Sequence, residues 1–121
     1  MTKRYTEGTM TEGTKKRIMN KLKNHLKTIN EFIEITTTHY DNDFLKSAYL
    51  HGVSTGIDYC KDSLFLFDTN CDTVDTLINQ LVKYRDNVQY SIDHYEEQAY
   101  DMQWLKGHME SVQFCLNIIN K

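Results

Sequence analysis

The stretch AYLHGVSTGIDYC, residues 48–60, places two glycines inside a pattern of apolar residues that is otherwise typical of a helix. A glycine within a helix costs about 1 kcal/mol relative to alanine. Ala48, Gly52, Gly56 and Cys60 lie four residues apart and therefore share one helix face. Because this face lacks bulky side chains, a second helix can approach it closely, and the dispersion attraction between the two helices can offset the cost. The stretch therefore predicts a close helix crossing.

The same small-residue face recurs later in the chain. A shift of 55 positions aligns residues 20–66 with residues 75–121 without a gap. The matched pairs include Leu22 with Leu77, His39 with His94, Leu50 with Leu105, Gly52 with Gly107, and Cys60 with Cys115. Gly107, Ser111 and Cys115 repeat the face in the second copy. The alignment predicts two copies of one helical hairpin, whose second helices cross about a pseudo-twofold axis.

Apolar periodicity predicts four helices. The first runs over about 15–38 after a cap at Thr14, the second over about 43–67, the third starts from a cap at Asp72, and the last starts near 98. The expected fold is an all-α four-helix bundle of two tandem hairpins, about 15–67 and about 72–120, within one domain, 14–121. Residues 1–13 contain TEGT twice and no apolar periodicity. They predict a flexible, basic N-terminal arm that buries nothing.

Length and composition favour one cytoplasmic domain. A chain of 121 residues can bury a core without metals or cross-links. The longest apolar run, LFLF at 64–67, is too short to cross a bilayer, and no apolar segment typical of a signal peptide follows the first basic residues. Three cysteines, an odd number without paired spacing, favour a reducing compartment. We expect a cytoplasmic protein without membrane association, located in the host cytoplasm if it is viral.

Charge is distributed unevenly along the chain. Residues 1–28 carry eight basic and two acidic residues, a net charge of +6, and the remainder carries −9. Such a basic segment can bind a phosphate backbone, an acidic partner or a neighbouring copy of the chain, or it can serve only as a solvated tail. The residues that would contact nucleic acid are Lys15, Lys16, Arg17, Lys21 and Lys23.

Catalytic and metal-binding patterns are weak. His39 and Asp43 have a spacing at which two side chains of one helix can share a metal, but Gln98 stands at the position equivalent to Asp43 beside His94. We therefore expect His39 and His94 to cap the ends of their helices. The sequence has no glycine-rich phosphate loop and no pattern typical of a catalytic triad. It predicts no catalytic residue, no cofactor and no metal, and hence a protein that is not an enzyme.

Aromatic residues give the strongest indication of a binding surface. Eight tyrosines and one tryptophan are more than a four-helix core can easily bury with their polar groups satisfied. Tyr100, Trp104 and His108 are spaced by four beside the apolar stripe of the last helix, and Tyr90 lies off the stripe of the third. Tyrosine and tryptophan are favoured at interface hot spots. These four residues are predicted to bind a partner, and the alternative is that the rings cover the edge of the core.

In composition and size, this proline-free chain rich in lysine and asparagine resembles short proteins encoded by bacteriophages of low-GC bacteria. Many of those proteins bind and block a host protein, and the resemblance carries no motif. It implies a non-enzymatic protein-binding module that inhibits a host enzyme or defence complex by steric occlusion. The alternative is a nucleic-acid-associated protein that uses its basic N-terminal arm and first helix. A protein partner is the main expectation, with nucleic acid and a second copy of the chain as alternatives.

Overall fold

The chain folds into four helices. The computed structural model describes residues 10–39, 44–94 and 99–120, and within these ranges it describes all side chains except those of 36–39, 44 and 99–100. The helices are α1 (Glu12–His39), α2 (Phe44–Leu66), α3 (Val74–His94) and α4 (Ala99–Ile119). The described ranges contain no strand, which confirms the all-α prediction. None of these helices has an apolar stretch long enough to cross a bilayer.

The centre of the bundle is the pair of helices α2 and α4, which share the largest helix–helix interface. Helix α1 packs mainly on α2, and α3 packs mainly on α4. The core fills with the apolar stripes of all four helices, for which Leu22, Ile57, Leu81 and Val112 are representative fully buried members. The molecule is therefore two hairpins, α1–α2 and α3–α4, joined through their second helices.

The α2–α4 crossing is close because glycines line it. A Cβ atom built on Gly52 would overlap the carbonyl oxygen of Trp104, and one built on Gly107 would overlap the carbonyl oxygen of Tyr49. A Cβ on Gly56 would lie 2.7 Å from the Cβ of Ser111. Side chains at these positions would thus push the two backbones apart. The structure brings together the small residues that the sequence placed at a crossing, where Ala48, Cys60 and Cys115 are also buried.

Contacts across the crossing repeat with the offset of 55 residues. Gly52 meets Trp104 and Gly107 meets Tyr49, which are equivalent pairs. Contacts between the first helix of one hairpin and the second helix of the other also occur at equivalent positions. His25 stacks on Phe114 with ring centroids 4.3 Å apart, and at the equivalent positions Gln80 Nε2 donates a hydrogen bond to Tyr59 Oη at 3.3 Å. These pairings are those that a pseudo-twofold axis between α2 and α4 requires.

Two residue pairs across the crossing each contain a residue and its own equivalent, as residues on such an axis would. In the first pair, Gly56 faces Ser111. In the second, the neighbouring Cys115 thiol and burial raise the pKa of the Cys60 thiol, so Cys60 is a neutral packing residue. The Ser111 hydroxyl also donates to the carbonyl oxygen of Val53 at 2.6 Å, which satisfies the one polar side chain at the crossing's centre.

The N-terminal boundary differs from the prediction. Met10 is only 2% exposed and belongs to the core, and α1 begins at Glu12. Thr11 caps this helix, because its Oγ1 accepts a hydrogen bond from the Thr14 amide at 3.0 Å. The cap prediction for Thr14 is wrong, as is the expectation that nothing before residue 14 is buried. The other part of the predicted arm, residues 1–9, lies outside the described residues.

The connection between the hairpins differs in its cap as well. Asp72 Oδ2 accepts a hydrogen bond from the Asp68 amide at 2.7 Å and so closes the turn between α2 and α3. The Oγ1 of Thr73 accepts a hydrogen bond from the Thr76 amide at 3.3 Å and caps α3. The prediction of Asp72 as the cap is therefore wrong by one residue, because its carboxylate serves the preceding turn.

Candidate functional site

A pocket of about 500 Å³ lies between the end of α3 and the beginning of α4. We call it the aromatic pocket, and its lining residues are Tyr90, Ser91, His94, Asp101, Trp104 and Leu105. Two of the four residues predicted to bind a partner, Tyr90 and Trp104, are thus brought together from different helices. Ser91, His94 and Asp101 were not predicted as part of such a site, since only the packing of α3 on α4 brings them beside the rings.

Tyr90 forms the exposed wall of the aromatic pocket. Its side chain is 63% exposed, because it follows Val88 by two positions and so points away from the face that Val88 buries. The Tyr90 ring stacks on His94 with centroids 3.9 Å apart. His94 Nδ1 lies 2.8 Å from the Tyr90 carbonyl oxygen, to which it donates as the cap expected near the end of α3. The tyrosine is therefore held in place from one side and open on the other.

Trp104 of α4 also lines the aromatic pocket. The side chain is half-buried, and its ring packs on His108 with centroids 4.1 Å apart. The Trp104 backbone is fixed by the helix crossing, since its carbonyl group lies against Gly52 of α2. A small-residue position in the first hairpin thus sets the position of an aromatic side chain in the second.

His108, the third residue of the predicted binding stripe, lies inside the protein. It is 3% exposed, with its ring 6.0 Å from that of Tyr84 on α3. Tyr84 of α3 is thus among its neighbours, which the spacing of residues along α4 alone does not reveal. The prediction that His108 contacts a partner is therefore at odds with its burial. Tyr100 lies at the start of α4, and its side chain is outside the described part of the chain.

Burial leaves His108 short of a hydrogen bond. Within the described residues, its Nδ1 atom has no partner. Burial lowers the pKa of His108 below its usual 6.5, and the nearby Trp104 carbonyl opposes this shift without forming a hydrogen bond of ordinary geometry to Nδ1. The equivalent position in the first hairpin is Val53, which is also buried. Neutral His108 thus occupies a position where the fold accepts an apolar side chain.

This lowered pKa predicts a pH dependence of stability. The unfolded chain takes up a proton at His108 near pH 6.5, whereas the folded chain resists protonation there. The contribution of His108 to the free energy of unfolding should therefore be constant above pH 7 and should decrease as the pH is lowered below 6.5. One histidine contributes at most about 1.4 kcal/mol per pH unit. Urea unfolding at pH 7.5, 6.5 and 5.5 measures this fall, and His108→Val should reduce it.

The control variant replaces an exposed histidine. His51 is exposed, so His51→Gln should leave the fall of stability unchanged. Burial also lowers the pKa of the His25 imidazole, against a smaller opposing effect of Glu110, so some fall should remain in His108→Val. An identical fall in the parent and in His108→Val would contradict the assignment to His108.

Other tyrosines serve the edge of the core. Tyr59 and Tyr84 stack with ring centroids 3.8 Å apart. The pKa of Tyr84 is raised to about 12, mainly by burial and to a smaller extent by the neighbouring Tyr59. Tyr49 donates a hydrogen bond from its hydroxyl to Glu110 Oε1 at 2.9 Å. All three pack against the hydrophobic core. These three tyrosines therefore cover the edge of the core rather than forming part of the aromatic pocket.

The basic residues of α1 have two different environments. Lys15 Nζ donates to the carbonyl oxygens of Phe67 at 2.7 Å and Phe65 at 3.3 Å, so it caps the C-terminal end of α2. This contact conflicts with the prediction that Lys15 grips phosphates. The other residues proposed to contact nucleic acid are exposed on α1, and they are Lys16, Arg17, Lys21 and Lys23.

Two exposed apolar side chains lie at the C-terminal end of α2. Phe65 and Leu66 are 72% and 76% exposed at the end of that helix. They belong to the LFLF run, in which Leu64 and Phe67 are buried. Sequence reasoning did not single them out, although a run of four apolar residues exceeds what one helix face can bury.

Neither the search for metal ligands nor the comparison with known proteins identifies another functional site. The described residues contain no group of three or more histidine, cysteine, aspartate or glutamate side chains able to hold a metal, and the side chains of His39 and Asp43 lie outside that part of the chain. Comparison with protein-family models, curated proteins and solved structures finds no match to this chain.

Proposed function

We propose that this protein is a non-enzymatic protein-binding module that contacts its partner through the aromatic pocket of the second hairpin. In this proposal it acts as the short bacteriophage proteins of similar composition do, by covering a surface of a host enzyme or defence complex. The observation that carries the proposal is that an exposed tyrosine, Tyr90, and a half-buried tryptophan, Trp104, line the same concavity from two different helices.

The internal symmetry supports this choice of surface. Ile35 and Tyr49 of the first hairpin stand at the positions equivalent to Tyr90 and Trp104. Tyr49 packs against the core and is hydrogen-bonded to Glu110, whereas Trp104 packs on His108 and lines the pocket. Since the fold accepts isoleucine and tyrosine at these positions, the larger aromatic pair of the second hairpin goes beyond what packing requires. Such residues are typical of interface hot spots.

A nucleic-acid-associated role is the second candidate, favoured by the exposed basic side chains of α1. Lys16, Arg17, Lys21 and Lys23 are exposed, and residues 1–28 carry a net charge of +6. The remainder of the chain carries −9 and would repel a phosphate backbone. We therefore place this candidate second.

The test exchanges the pocket residues for those of the first hairpin. Tagged parent protein and the variant Tyr90→Ile with Trp104→Tyr are used to capture proteins from a host-cell lysate, and affinity for the captured partner is then measured with purified components. The variant should keep its melting temperature, because both residues occur at the equivalent positions. It should lose at least about 2 kcal/mol of binding free energy, roughly a 30-fold loss of affinity.

Two control variants complete this test. Phe65→Ala with Leu66→Ala removes exposed apolar area at the end of α2, away from the aromatic pocket, and should leave the affinity unchanged. Lys16→Ala, Arg17→Ala and Lys21→Ala together, with Lys15 retained, should alter mainly the association rate and its salt dependence. Binding that survives the pocket variant but is abolished by the basic-residue variant, and that falls steeply with salt, would instead support the nucleic-acid role.

A further inference from the structure

We infer that the aromatic pocket receives an arginine side chain presented by the partner protein. This inference rests on the proposed function and specifies the chemistry of the partner. Its basis is the combination of aromatic walls, hydrogen-bond acceptors and negative charge at one concavity.

The walls suit a planar cation. A guanidinium group stacks on aromatic faces. Because it is more weakly hydrated than an ammonium group, it loses less hydration free energy on entering a partly apolar concavity. Tyr90 and Trp104 supply rings from two helices, and the stacked His94 ring backs Tyr90 at 3.9 Å. The volume of about 500 Å³ is within the range of sites that accommodate small ligands, so it has room for one side chain.

Acceptors lie on the same lining. Two residues with hydrogen-bond acceptors in their side chains, Asp101 and Ser91, line the aromatic pocket. A carboxylate has acceptor sites for several hydrogen bonds, and guanidinium has five N–H donors in a fixed planar arrangement. The rings and these two polar side chains together offer what a guanidinium recognises: faces for stacking and acceptors at the edge.

Charge favours a cation over a neutral or acidic partner. Residues 90–105, which contain the whole lining, carry four acidic residues and no lysine or arginine. Among the described members of this segment, Asp93 is exposed and accepts a hydrogen bond from the Gln89 side chain at 2.8 Å. A basic partner would therefore be attracted to this end of the bundle before contact.

The first hairpin has residues of different chemistry at the equivalent positions. Lys46 stands at the position equivalent to Asp101, and Ile35 stands at that of Tyr90. From the first hairpin to the second, the change at these positions replaces a basic residue by an acidic one and an aliphatic residue by an aromatic one. Both changes move towards recognition of a cation.

The test uses Trp104, the only tryptophan, as a fluorescent reporter. N-acetyl-arginine amide is titrated into the parent protein, and the tryptophan emission is followed at constant ionic strength. N-acetyl-citrulline amide, which has nearly the same shape without charge, and N-acetyl-lysine amide are the matched probes. We expect a saturable change with the arginine probe, and at least fivefold weaker binding of the citrulline and lysine probes.

The variant Tyr90→Ile should weaken binding of the arginine probe about threefold or more, and Phe65→Ala should not change it. Equal binding of the citrulline probe, equal or tighter binding of the lysine probe, or no saturable change would each overturn the inference. These failures are distinguishable from failure of the proposed function. If captured proteins are still lost with the pocket variant, the protein-binding role stands without arginine; if capture is unaffected, that role fails whatever the probes do.

Discussion

Gly52→Ala and Gly107→Ala should each lower the free energy of unfolding by about 3 kcal/mol or more. Within a helix this substitution alone would raise it by up to about 1 kcal/mol, because alanine has the higher helix propensity. Here the added Cβ atom would overlap a backbone carbonyl group of the facing helix, that of Trp104 for Gly52 and that of Tyr49 for Gly107. A backbone cannot rotate away as a side chain can, so the helices must separate. Urea unfolding of purified variants measures the loss.

Gly13→Ala is the matched control for this prediction. Gly13 also lies in a helix, and the nearest atom to an added Cβ is Thr11 Oγ1 at 3.9 Å, an ordinary contact. This variant should gain between a few tenths and about 1 kcal/mol, as helix propensity predicts. Gly52→Ala or Gly107→Ala melting at or above the parent temperature would show that α2 and α4 do not cross closely at these residues.

Gly56→Ser should cost about 2 to 3 kcal/mol, the second largest expected loss. Its added Cβ would lie 2.7 Å from the Cβ of Ser111 and 3.2 Å from the carbonyl oxygen of His108. Such overpacking in a filled interior typically has this magnitude. Ser111→Gly should cost about 2 kcal/mol for a different reason, since it removes the hydroxyl that donates to the Val53 carbonyl and also lowers helix propensity. Urea unfolding at neutral pH gives both values.

The sequence predicts the crossing well because the signal is local and costly. Gly52, Gly56 and Gly107 carry a penalty inside a helix that only a close approach explains, and their spacing specifies the face. Helix number and approximate bounds likewise follow from apolar periodicity. Caps are less predictable, because more than one side chain near the start of a helix offers a suitable oxygen. Thr11 and Thr14 do so for α1, and Asp72 and Thr73 do so for α3. Which one is used depends on the chain's path rather than on residue type.

The candidate site is only partly readable from the sequence. Tyr90 is identifiable, because it lies off the apolar stripe of its own helix. His108 is not, since its burial depends on how α4 packs on neighbouring helices, for example beside Tyr84 of α3. Lys15 is similarly misread, because the carbonyl groups it caps lie about fifty residues away in the chain. A pattern along one helix gives no information about which neighbour covers it.

Tyr90 and Trp104 exceed the needs of packing only if the residues of the first hairpin at the matching positions are their structural equivalents, so the equivalence of the two hairpins must hold. A double-mutant cycle at the axis tests it directly. In Gly56→Ser with Ser111→Gly, the hydroxyl moves to the equivalent position, where the His108 carbonyl stands in place of the Val53 carbonyl. Urea unfolding should then show a total loss below about 1 kcal/mol, against about 4 kcal/mol or more if the two losses added. Additive losses would contradict a pseudo-twofold axis through Gly56 and Ser111.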